Sequence, residues 1–167
     1  MPKADPGLRF ERLGQQPGAL DIVARWWFDE WAHESPGMTL EGLRARVRDS
    51  IPELLPATLL AYASDELAGV AELKAHELRQ HFPERTPWLG GVFVDPAHRR
   101  DGIAARLVRE IERIARGAGF RRLWLQTERL DGGVYARLGW MGVHEVTLPT
   151  VRVLVMTRDL TADHSAP

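Results

Sequence analysis

Cysteine is absent from the 167-residue chain, which excludes a disulfide scaffold, a thiolate zinc site, an iron–sulfur cluster and a cysteine nucleophile. Long apolar runs are missing too: no window approaches the ~18 consecutive apolar residues of a membrane-spanning helix. The first residues, MPKADPGLRFERLGQQ, put charges and prolines where a secretory leader needs an apolar stretch. These features lead to the expectation of a cytoplasmic protein with no membrane partner. Neither sign of charge is in excess. With 22 basic against 23 acidic residues the formal net charge is −1, so no global field draws the chain to nucleic acid, and any anion site must be local. The six histidines fall in no HxxxH or HExxH spacing, so no metal site is expected. Lysine is nearly missing: Lys3 and Lys74 are the two lysines, and the other basic residues are arginines, whose planar fork of donors suits phosphate. Internal repeats and low-complexity tracts are lacking as well.

What is present is 44% apolar and 27% charged residues, a balance that supports one packed core in a domain of ordinary size. We expect a single domain over residues 1–160 and a flexible tail over 161–167. Leu8 to Leu13 alternates as a half-buried strand. Ala19 to Glu34 repeats apolar residues at helical spacing, with Trp26, Trp27 and Trp31 in its stripe and one of the tandem pair buried. A second helix runs from Thr39 to Ser50. Thr58–Ala63 and Leu67–Leu73 predict a hairpin, Trp88–Val94 a central strand, and Gly102–Arg116 an amphipathic helix with arginines and glutamates on its outer face. Leu123–Gln126 predicts another strand, Val134–Leu138 a short helix, and Trp140–Arg158 a strand pair broken at Leu148-Pro149-Thr150. Strand edges from Thr147 to Met156 are compatible with a homodimer. The order of elements indicates an α/β (mixed α+β) fold, a mixed sheet with helices on both faces.

The most informative stretch joins the Trp88–Val94 strand to the Gly102–Arg116 helix: Val94-Asp-Pro-Ala-His-Arg-Arg-Asp-Gly-Ile-Ala-Ala105. A helix starting there exposes unpaired N–H groups and the positive end of its dipole to an anion. Gly102, Ala104 and Ala105 allow close approach, and Arg99 and Arg100 can add charge-assisted bonds.

Arg99-x-x-Gly102-x-Ala104, directly after a Val-Asp-Pro strand end, resembles the coenzyme A signature of the GNAT superfamily of acyl-CoA N-acyltransferases. Val134-Tyr135-Ala-Arg-Leu-Gly139-Trp140 resembles that family's tyrosine, three residues, glycine, aromatic motif. The resemblance spans roughly Leu8 to Leu160. It departs from the family pattern in Glu128-Arg-Leu-Asp-Gly-Gly133, which lacks an Asn-x-x-Ala before the tyrosine. It implies the family's mostly antiparallel sheet with a splayed parallel strand pair, and acetyl-CoA as co-substrate. It further implies that the pantetheine arm bonds strand backbone near Phe93 and Val94. The pyrophosphate would rest on the amides of Arg100, Asp101, Gly102, Ile103, Ala104 and Ala105, helped by the Arg99 side chain. Tyr135 would act as acid toward the leaving thiolate and the Val94 N–H as oxyanion donor.

The base that frees the acceptor amine has no single candidate. The strand from Trp88 to Val94 holds no ionisable side chain, which leaves Glu72 on the preceding strand, His76, His81 and Glu84 in the following loop, or a water chain. The implied activity is acetyl transfer to a primary amine of a small molecule or a peptide N-terminus by direct attack in a ternary complex. A coenzyme-binding module without turnover is the alternative.

Overall fold

The computed structural model describes residues 7–53 and 55–161. Seven strands make one sheet: β1 (Leu8–Arg12), β2 (Ala57–Ala63), β3 (Glu66–Lys74), β4 (Trp88–Val94), β5 (Arg122–Thr127), β6 (Met141–Thr147) and β7 (Arg152–Asp159), in the spatial order β1-β2-β3-β4-β5-β7-β6. All neighbours are antiparallel except β4 and β5. The helices are α1 (Leu20–Trp31), α2 (Leu40–Ser50), α3 (Ile103–Gly117) and the short α4 (Gly133–Arg137).

Side-chain alternation in the strands separates two cores. On one face Leu60 and Val70 meet Val23 and Trp27 of α1 and Leu43 and Val47 of α2. On the other, Leu59, Ala71 and Leu89 meet Ile103, Leu107 and Ile111 of α3, and this core continues through Leu123, Leu125 and Met156 to Trp140. Burial of these apolar faces supplies most of the folding free energy. Thr39 caps α2, its Oγ1 accepting from the Gly42 N–H at 3.0 Å. The expected first helix is broken at both ends into 3-10 turns, Pro17–Ala19 and Ala32–Glu34, around a regular α1.

Two expectations are corrected here. The stretch from Thr147 to Met156 does not form one exposed edge: β7 lies between β5 and β6 with Val153, Val155 and Met156 buried, and β6 is the edge strand at that end of the sheet. The outer face of α3 is not wholly solvated either. Glu112 is buried and accepts from Trp140 Nε1 at 3.0 Å, with Arg158 Nε 3.5 Å away. The polar tail expected over 161–167 lies, after Thr161, outside the described residues. Among the described residues no helix is long and apolar enough to cross a membrane.

Candidate active site

β4 and β5 share a single bridging pair, Trp88 with Trp124, and the Trp124 N–H donates to Pro87 O at 3.2 Å. Beyond that rung the strands part. Along β4 the pairing to β3 then slips: Val70 faces Phe93 while Glu72 faces Gly90, so β4 holds one extra residue there, a bulge. Gly90 and Gly91 make it possible. Gly91 has φ +60, and the Trp27 indole lies where its Cβ would be, 2.8 Å from that point, donating Nε1–H to Gly91 O at 2.9 Å. A Cβ at Gly90 would sit 2.5 Å from Glu77 Oε1. Paired glycines within an apolar strand are the signal of such close approach.

Past the bulge the Asp95 N–H donates to Ala68 O at 2.8 Å. Alternation along the ladder therefore gives the Phe93 backbone to β3 and turns the Val94 N–H and C=O toward the opening. Phe93 thus gives its backbone to β3, lines the same cavity as Val94 and Arg99, and packs its ring on Trp26, centroids 5.2 Å apart.

At the mouth of the opening lies a cavity of about 410 Å³, a cradle whose backbone would suit an anion. Arg100 and Gly102 take positive φ, +71 and +75, to turn the chain into α3. The first helical bond is Arg106 N to Gly102 O at 3.2 Å, so the amides of Ile103, Ala104 and Ala105 have no partner within the helix. Arg99 stands over the Phe93 ring and ties Nε to Val94 O at 2.9 Å. Arg100, Gly102, Ile103, Ala104 and Ala105 line the cradle with Arg99, whereas Asp101 does not. Arg137 from α4, which motif reading did not single out, joins them.

On the α1/α2 side a second cavity, of about 590 Å³, opens against the same β4 segment. Tyr135, Glu72, Lys74, Glu77, Gln126 and Trp31 are among its lining residues. Glu77 spans the parted strands, bonded to Lys74 Nζ at 2.8 Å and to Gln126 Nε2 at 3.0 Å. Burial works to lower the Lys74 ammonium, yet Glu77 and Glu72 hold it above its ordinary value. Glu72 is only 4% exposed, and burial pushes its carboxyl above the ordinary range against the pull of Lys74 and Arg46. Burial, with Glu77 adding its charge, pushes the Tyr135 hydroxyl up to about 12. The Tyr135 ring packs edge-on against Trp140, centroids 6.3 Å apart.

Of the expected catalytic residues, Tyr135 and Glu72 thus meet in one cavity. Glu84 does not join them: it is exposed in the loop after β3 and lines none of the cavity, as is also true of His81. That loop is held by Arg85, its guanidinium 4.1 Å from the Phe82 centroid and 4.2 Å from that of Trp124. Glu77, Glu34 and Glu128 line the cavity without having been expected. The glycine pair opposite Glu77 was the available sign of one of them, and nothing in the spacing marks the other two.

Solved structures share this architecture. The Salmonella typhimurium protein yncA, determined with its cofactor acetyl-CoA, superposes with a TM-score of 0.72 at 15% identity, covering 96% of this chain and 97% of its own. An aminoglycoside 6'-N-acetyltransferase complexed with coenzyme A gives 0.72 at 14% identity, over 93% and 98%. An N-acetyltransferase from Staphylococcus aureus Mu50 gives 0.72 at 12% identity, over 93% and 99%. At such identities these likenesses speak for the fold. No curated protein matches the sequence. The model of the family described as "Acetyltransferase (GNAT) family" matches residues 19–140, a stretch that begins just ahead of α1, takes in the cradle and ends at Trp140 beyond Tyr135. By that match the chain belongs to the GNAT acetyltransferase family.

Proposed function

We propose that the protein is an acetyl-CoA-dependent N-acetyltransferase, passing acetyl to a primary amine of a small molecule or a peptide N-terminus by direct attack in a ternary complex. The observation that carries this reading is the parted β4/β5 pair, which puts an inward-facing Val94 backbone between an anion cradle and a cavity holding Tyr135 and Glu72.

In this reading the amides of Gly102 to Ala105, with Arg99, Arg100 and Arg137, hold the coenzyme's phosphates. The Val94 N–H donates to the thioester oxygen as charge builds on it. An ammonium entering beside Glu72 must shed a proton before it can attack. A carboxyl raised by burial is a better match to that proton than an exposed one, and water is the onward path. The new C–N bond forms as the C–S bond breaks, and Tyr135, which keeps its proton at neutral pH, donates toward the departing sulfur.

Calorimetric titration with acetyl-CoA tests the coenzyme half of this reading. A Cβ at Gly102 meets nothing within 4 Å. Gly102→Glu should therefore fold at a strain cost of about 1 kcal/mol from its positive φ, while placing a carboxylate in the cradle. We expect binding by the native protein and loss of about a hundredfold or more in the variant. Equal affinity in both would remove the cradle from the reading.

A further inference from the structure

The cavity beside Tyr135 carries two separate negative positions that its own cations, Arg46, Lys74 and Arg129, do not pair directly. Glu72, on its inner wall, is 4% exposed; its carboxyl makes no side-chain hydrogen bond or close ion pair among the described residues, and Lys74 and Arg46 of the same cavity act on it only from a distance. Glu34, in the turn that ends α1, and Glu128, just after β5, bring their carboxylates together at the cavity wall; with His33 their ligand atoms all lie within 4.8 Å. No arginine or lysine among the described residues pairs with either, and His33 reaches Glu34 only at 3.7 Å. Two carboxylates so close favour a shared proton or an added cation. Burial and the neighbouring Glu128, Glu30 and Glu77 push Glu34 up to about 7. Trp27, Trp31, Met38 and Leu43 give the same cavity an apolar wall, suited to a hydrocarbon chain.

We infer that the acceptor is a small organic dication, a diamine or longer polyamine, with one amine placed at Glu72 for acetylation and a second ammonium held by Glu34 and Glu128. This rests on the amine-acetylation reading and narrows it. A bare metal ion would use the Glu34–Glu128 end alone. A dication accounts for both negative positions and for the apolar wall of the same cavity.

The test uses diaminoalkanes of graded length against butylamine, read by thiol release from acetyl-CoA and, independently of turnover, by calorimetric titration of the coenzyme-loaded protein. A diamine of matching length should exceed butylamine by about tenfold in kcat/KM and in affinity, the factor that 1.4 kcal/mol represents. The Glu34→Gln/Glu128→Gln double variant should bring that ratio close to one, and Glu72→Gln should lower diamine affinity on its own. Equal handling of butylamine, a ratio unchanged in the double variant, or Mn²⁺ binding at this pair with no diamine binding would each overturn the inference. If coenzyme binds and butylamine is acetylated without diamine preference, the inference alone falls. If coenzyme does not bind at all, the acetylation reading falls, and titration of the coenzyme-free protein with the diamine still decides whether the dication site exists.

Discussion

Glu72 holds a charge where the surrounding protein offers it little. Its folded-state pKa lies above the unfolded value, so between those two values the native state binds more protons than the unfolded chain. Stability therefore falls as pH rises through that window, and the penalty is fully present at alkaline pH. Glu72→Gln should raise the melting temperature by a few degrees at pH 8 and by much less near pH 4, while slowing acetylation; scanning calorimetry at the two pH values checks it. A gain independent of pH would mean that the carboxylate is matched after all. Tyr135 makes a complementary case. Tyr135→Phe retains the ring that packs on Trp140 and removes only the hydroxyl, so turnover should fall about a hundredfold or more with coenzyme affinity retained. A protein that merely binds coenzyme would have no turnover to lose. Tyr135 was legible because a motif fixes its place at the start of a short helix. Glu84 was misplaced because nothing in a loop's composition sets which way its side chains face, whereas Glu72 sits on a strand whose alternation does.

Most elements could be read from periodicity, and β4 agrees residue for residue with the expected Trp88–Val94. The ends of α1 were overrun because 3-10 turns continue an apolar helical pattern without continuing its hydrogen bonding. Helix α3 shows a different limit. Its apolar stripe is plain, but the same pattern counts Glu112 with the solvated glutamates, and only the arrival of Trp140 and Arg158 from distant sequence encloses it. That carboxylate ties α3 to the far half of the sheet. Glu112→Ala should cost about 2–4 kcal/mol by leaving the Trp140 N–H unpaired and the half-buried Arg158 without this counter-charge, to be read as a lower urea midpoint. A change within about 0.5 kcal/mol would assign the anchoring to apolar contacts alone.

At the scale of the molecule, the order of strands and helices conveyed the fold class and the position of the turn from β4 into α3, because both follow from local patterns along the chain. The cavity did not follow from them. Its wall is assembled from α1, α2, β3, β4, β5, α4 and β7, and the bulge that shapes it depends on a one-residue slip between β3 and β4. No single segment carries such a relation. The parted β4/β5 pair also gives a strand at the middle of the sheet the solvent exchange of a strand at its margin. Backbone deuterium uptake should alternate along the end of β4, slow at Phe93 and Asp95, whose amides face β3, and fast at Val94, whose amide faces the opening. Acetyl-CoA should slow Val94 selectively, so that one central amide reports, without any acceptor present, whether the cleft is filled.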